Sequence, residues 1–248
     1  EHSLRLLATD ELGIVRVACA PSKSQLDSLA MVTRWGEAAR ARRIVRCRAG
    51  EDGEGDDDEG TCAANGWLAV ARHDHTVEVL DSASGQVMGG GSVAVGGLPV
   101  SVNLYGPSSG RDGARLITVT EEGDVVVHAA PCDASSSLAD PTAAASSDRL
   151  VEEWSESTRW KATGHASSAR AGAGGAVLAL GGKGQGNDLK LYDVDAQKIS
   201  FKAKPPPPNW LGYRAPPWVS AVQFVPGTDH KQILLGTGEH ALRLYDIR

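Results

Sequence analysis

A chain of 248 residues, 41% of them hydrophobic but only 5% aromatic, can bury a core, and that core must be built mainly from Val, Leu, Ala and Ile, which suit strands better than helices. A net charge of −6 makes the average field repel nucleic acid, so any RNA contact is expected from a local basic patch. No run of ~18 apolar residues is present, so no membrane span is expected, and Cys19, Cys47, Cys62 and Cys132, with no Cys-x-x-Cys spacing or leader-like segment, point to a reducing, intracellular setting.

One pattern returns along the chain: an apolar pair, a tight polar turn, an alternating run and an acidic stop. Its first copy runs from Leu6-Leu7-Ala8 to Val17. A basic stripe follows, with Arg34, Arg40, Arg42, Arg43, Arg46 and Arg48 against the single acid Glu37. Next comes the acidic run of residues 51–60, a like-charge stretch expected to be a mobile loop. The stripe is suited to RNA, to an acidic tail or to the neighbouring acidic run. Adjacency and opposite sign favour the last, which would make the run a screen against nonspecific RNA.

The second copy spans Trp67-Leu68-Ala69-Val70 to Leu80-Asp81, with His73-Asp74-His75 at its turn. Alternating histidines invite a metal reading, but no further ligand lies nearby in sequence, and a structural turn is the simpler account. The third copy runs from Leu116-Ile117-Thr118-Val119 through Glu121-Glu122-Gly123-Asp124 to Val127. Residues 131–150 are of low complexity and expected to be disordered.

The fourth copy, Val177 to Tyr192-Asp193, contains Gly181-Gly182-Lys183-Gly184-Gln185-Gly186. That stretch mimics a phosphate loop, yet it lacks the closing Gly-Lys-Ser/Thr and joins strand to strand, with no helix to supply a dipole. Residues 204–217, with Pro205 to Pro208 and Pro216-Pro217, predict an extended excursion outside any sheet. The fifth copy runs from Ile233-Leu234-Leu235 through Gly236-Thr237-Gly238-Glu239-His240 to Tyr245-Asp246.

Each copy reads as a β-hairpin, and five in one chain predict a repeat architecture. Asp81, Asp193 and Asp246 are expected to end their strands by accepting backbone N–H groups of the following turn. Gly-x-Ser-x-Gly is absent, and no cysteine sits in a recognisable activating context. No catalytic constellation, cofactor, metal or small-molecule substrate is expected.

Tyr192-Asp193 and Tyr245-Asp246, with Gly164-His165 upstream of the former, resemble the Trp-Asp and Gly-His signals of the WD-repeat family. That resemblance makes each hairpin the inner half of a propeller blade and the fold all-β, a WD-repeat β-propeller over residues 1–248. Insertions are expected near 50–61 and 131–150. The family has seven blades and five are visible here, so the chain reads as incomplete at its C-terminus. Such an incomplete ring is expected to be poorly soluble or to form an open arc.

Within the family, a denser likeness lies in residues 181–248. Its elements are Gly181-Gly182-Lys183, Asn187-Asp188-Leu189-Lys190-Leu191-Tyr192-Asp193, Phe201-Lys202-Ala203-Lys204, Asn209-Trp210-Leu211 with Arg214, Pro216 and Trp218, and Gln223-Phe224-Val225-Pro226. These look like the nucleolar WD-repeat assembly factors of the large (60S) ribosomal subunit, and Asp10-Glu11-Leu12-Gly13 is similar to that family too. Where the family commonly has acidic residues around the Trp, this chain has Asn209 and Gly212.

The resemblance implies a non-catalytic scaffold in the nucleus and nucleolus. It would bind pre-60S particles, their proteins and precursor rRNA, act in rRNA processing, and be released by an AAA-type ATPase. An alternative from another class is an adaptor of a protein-only complex, such as a ubiquitin-ligase substrate receptor. The residues marked for partner binding are Lys202, Lys204, Trp210, Arg214 and Trp218. The two tryptophans would serve as anchors and the cations would meet phosphate; the simpler account has both rings fold back on the blade and bury themselves, with the cations on ordinary solvated faces.

Overall fold

In a computed structural model, residues 4–20, 30–36, 38–49, 66–106, 114–130, 154–205, 207–208 and 210–248 are described. The two expected insertions, at 50–61 and 131–150, lie outside them, as does Asn209.

Strands follow one another as antiparallel meanders, and the described residues form five sheets. The first contains β1 (Leu4–Thr9), β2 (Val15–Ala20) and β3 (Ala30–Trp35). The second contains β4 (Ile44–Ala49), β5 (Trp67–Arg72), β6 (Thr76–Asp81) and β7 (Val87–Ala94). The third contains β8 (Pro99–Tyr105), β9 (Arg115–Thr120), β10 (Asp124–Ala129) and β11 (Ser155–Lys161). The fourth contains β12 (Ala166–Gly172), β13 (Val177–Gly182), β14 (Lys190–Asp193) and β15 (Lys198–Lys202). The fifth contains β16 (Val219–Phe224), β17 (Gln232–Thr237) and β18 (Leu242–Asp246).

All five hairpins read from the sequence are present, as β1–β2, β5–β6, β9–β10, β13–β14 and β17–β18. Their acidic stops act as expected. The Asp81 carboxylate accepts from the N–H groups of Ala83 and Ser84 at 3.2 and 3.0 Å, Asp193 accepts from Ala196 at 2.7 Å, and Asp246 accepts from Arg248 at 3.1 Å. Each strand therefore ends where its aspartate folds the next turn. The His73-Asp74-His75 segment is likewise a turn, with Asp74 accepting from the Thr76 N–H and hydroxyl at 3.2 and 2.6 Å.

One expectation needs correction. The hairpins are the middle pair of each four-stranded sheet, not its inner half. An additional strand precedes each of four hairpins, and these strands, β4, β8, β12 and β16, pack against one another from sheet to sheet. Their sequences hide them because they join their neighbours through polar groups. Arg46 Nε donates to the Val100 carbonyl at 2.8 Å, Ser101 Oγ donates to the Ala169 carbonyl at 2.7 Å, and Ser167 Oγ donates to the Val219 carbonyl. Asn103, fully buried, accepts from the Ala171 N–H through Oδ1 and donates to Ser101 through Nδ2. The register of each inner strand shifts by one residue near its start, at Ile44/Arg46, Pro99/Ser101, Ala166/Ser168 and Val219/Ala221. A bulge at the same place in four strands re-aims their side chains together.

The core is a succession of sheet-on-sheet interfaces. Val15 and Val17 pack with Leu68, Val70 and Leu80 of the second sheet. Ala69, Ala71, Val77 and Val79 pack with Val102, Leu104 and Leu116 of the third. Ile117, Val119, Val125 and Val127 pack with Ala169, Ala171, Leu178 and Leu180 of the fourth. Ala179, Leu189 and Leu191 pack with Val222, Phe224, Ile233 and Leu235 of the fifth. Each sheet thus presents one hairpin face forward and receives its predecessor on the other.

The corresponding forward face of the fifth sheet is uncovered: Leu234, Leu242 and Leu244 are 37%, 74% and 61% exposed. By register, Leu244 stands opposite Leu234 as Leu191 stands opposite Ala179.

Candidate functional site

Between β15 and β16 the chain leaves the sheets, as its prolines predicted. Ala203 is buried, and its N–H donates to the Leu189 carbonyl at 2.9 Å, so the excursion departs from a fixed point beside Lys202. Lys204 stands exposed immediately after it. The loop then presents Trp210, Leu211 and Tyr213 at 90%, 68% and 62% exposure, with Gly212 between them in the left-handed region at φ +76°. Arg214 is exposed as well. Among the described residues no carboxylate pairs with Lys202, Lys204 or Arg214. Three apolar rings or branches and several cations therefore share one loop, a composition that suits a contact surface.

Trp218 closes the loop in a different way. Its backbone forms an isolated bridge with Lys183, its carbonyl accepts from the Gly238 N–H at 2.8 Å, and the Pro217 carbonyl accepts from the Gly184 N–H at 2.9 Å. The indole lies so close to Gly238 that a Cβ there would sit 2.1 Å from a ring carbon, while Lys183 Nζ stands 4.4 Å from the ring centroid. A glycine beside the ring and a cation over it hold Trp218 on the fifth sheet, 45% exposed. The two tryptophans thus differ: Trp218 is fastened to the blade and Trp210 stands out from it.

The Gly181 to Gly186 stretch accordingly serves as architecture. Its Lys183 supports Trp218, and the Lys183 N–H donates to the His165 carbonyl at 3.0 Å, which links the Gly164-His165 segment to the same corner. Next to it, Lys190 is held below the ordinary lysine range, first by burial and then by the charge of Lys202 across the strand pair, with Asp188 opposing.

The sequence marked Lys202, Lys204, Trp210, Arg214 and Trp218, and all five lie on this one excursion or its anchors. It passed over the pedestal residue Gly238 and the exposed Leu211 and Tyr213. Gly238 carries no local signal, because its role depends on a ring twenty residues earlier in the chain.

The basic stripe divides. Arg42 turns inward to Glu78 and lies 3.7 Å from Asp74, and Arg46 donates to the backbone of Val100. The acidic run to which the stripe was expected to pair lies outside the described residues. No cluster of metal-binding side chains occurs among the described residues, and no helix is long and apolar enough to cross a membrane.

No family model matches the chain. A curated human protein, WD repeat-containing protein 74, is 38% identical over 71 residues, which is 28% of this chain and 17% of that protein. The bovine and mouse proteins of the same name are 35% and 36% identical over 71 and 64 residues. The matched stretch thus spans about a sixth of those relatives' length. Among solved structures, the β-propeller domain of Cps50 (Swd1) from Myceliophteria thermophila superposes with a TM-score of 0.63 over 98% of this chain and 66% of that one, at 8% identity. The chain is an all-β protein with the fold of a WD-repeat β-propeller, and part of it is homologous to WD repeat-containing protein 74.

Proposed function

We propose that this protein is a non-catalytic scaffold of ribosome biogenesis, bound to pre-60S particles in the nucleolus and acting in large-subunit assembly and rRNA processing. Its mechanism is occupancy: a rigid propeller covers or braces a precursor surface until an AAA-type ATPase removes it. The observation that carries this reading is the aromatic and cationic loop, with Trp210 90% exposed on a rigid base. Large rings on a pre-positioned loop contribute contact area at little entropic cost, and the cations beside them, with which no described carboxylate pairs, suit a partner rich in phosphate. The motif likeness of residues 181–248 and the homology to WD repeat-containing protein 74 support the same reading.

The test is cosedimentation of tagged wild type, Trp210→Ala and Arg214→Glu from cells. Wild type is expected to travel with large-subunit precursors and precursor rRNA, and both variants to leave that fraction while melting at the wild-type temperature. Wild type found only in small, RNA-free complexes would make the protein an adaptor and overturn the proposal.

A further inference from the structure

A second candidate surface lies far along the chain from the Trp210 loop. A cleft of about 350 Å³ opens between the first two sheets, lined by Glu11, Leu12, Arg40, Arg43 and His73. Three segments make its walls: the β1–β2 turn, the 3-10 turn Arg40–Arg42 ahead of β4, and the β5–β6 turn.

Backbone and buried side chains lock those segments together. The Ala39 N–H donates to the Leu12 carbonyl at 2.8 Å, and the His73 N–H donates to the Arg43 carbonyl at 2.8 Å. Arg72, 4% exposed, donates to the carbonyls of Gly13 and Arg42, each at 3.0 Å, and to Glu78 at 2.8 Å. Gly13 sits at φ +87°, where an added Cβ would meet the Arg42 carbonyl at 2.4 Å, so the turn and the arginine segment are in direct backbone contact. The Asp10 carboxylate caps the same turn, accepting from Leu12 and Ile14 at 3.0 Å each and from Arg16.

Charge accounting then singles out two side chains. Arg72 and Arg42 are offset by Glu78 and Asp74, and Arg16 by Asp10. Arg40 and Arg43 are exposed, and no described carboxylate pairs with either. Two guanidinium groups without a described carboxylate partner therefore line one pre-formed cleft, where they outnumber its single carboxylate, Glu11, in a chain whose net charge is −6. Leu12, 42% exposed, adds an apolar wall beside them.

We propose that this cleft binds an acidic peptide segment of a protein partner, with Arg40 and Arg43 engaging its carboxylates and Leu12 contacting an adjacent apolar side chain. Guanidinium groups suit carboxylates through paired N–H donors. The leucine distinguishes the ligand from RNA, whose phosphate backbone gains nothing from an aliphatic wall. Of the five lining residues only His73 carries a ring, and no Trp, Tyr or Phe is among them.

The test is fluorescence anisotropy with two labelled probes, a decapeptide rich in glutamate and leucine and a ten-residue oligouridylate. The whole protein is compared with Arg40→Ala/Arg43→Ala and with Leu12→Ala. Saturable peptide binding is expected, weakened roughly tenfold or more by the double variant and severalfold by Leu12→Ala, with falling affinity as salt rises. Because the substituted side chains are exposed and the backbone bonds remain, circular dichroism melts should match wild type. Peptide binding that is absent, or unchanged in the double variant, would overturn the proposal. So would oligouridylate binding with the same arginine dependence, which would assign the cleft to RNA instead.

Discussion

Leu191 and Leu244 occupy equivalent places in consecutive sheets, one covered and one not, so truncating each to alanine measures what a neighbouring blade contributes. Leu191 is 1% exposed and belongs to the apolar cluster that includes Val219, Phe224 and Ile233 of the next sheet. Its removal forfeits the transfer free energy of the lost carbons and leaves a cavity between sheets. The expected loss is about 3 kcal/mol, within the range for fully buried leucines. Leu244 is 61% exposed, so about two fifths of its surface is at stake, and Leu244→Ala should cost no more than about 1 kcal/mol. For a chain of this size these translate into melting shifts of roughly 6–12 °C and at most about 4 °C. Urea titrations followed by intrinsic fluorescence, run on both variants in parallel, supply the comparison. Equal losses would refute the reasoning, because they would mean that the forward face of the fifth sheet is as buried in solution as that of the fourth.

Other expectations follow from single residues. His128, 1% exposed and with no hydrogen-bond partner for Nδ1 among the described residues, is held below the ordinary histidine range chiefly by burial; Glu156 opposes this and Arg159 adds to it. Below pH ~6.5 the unfolded chain takes up a proton that the folded chain resists, so stability should fall as pH drops through that value, by at most about 1.4 kcal/mol per unit. Thermal melts at pH 7.5 and 5.5 should show that loss in wild type and a smaller one in His128→Leu; identical slopes would dismiss the assignment. Gly238→Ala should displace the Trp218 indole, since the new Cβ would fall 2.1 Å from the ring, and tryptophan emission should shift to longer wavelength as the ring gains solvent. Unaltered emission would show that the pedestal is not as close as described.

What could be read in the chain alone was whatever depends on neighbours in sequence. Hairpins such as Leu116–Val127 or Ile233–Tyr245 are written in alternation and in a short polar turn, and the aspartates that end β6, β14 and β18 each bond a backbone N–H two or three residues after them. The proline-rich excursion was legible for the same reason, because a residue lacking an N–H cannot continue a ladder. Tertiary structure decided the rest. The inner strands were invisible because Ser101, Asn103 and Ser167 are satisfied by carbonyl and N–H groups more than fifty residues away. The same distance hid the division of the arginine stripe, in which Arg42 is drawn 36 residues along the chain to buried Glu78 while no described carboxylate pairs with Arg40 or Arg43. Gly238 beneath Trp218 belongs to this class as well. A polar or small residue in a strand reads as weakness until the partner across the interface is known, and only folding brings that partner within reach.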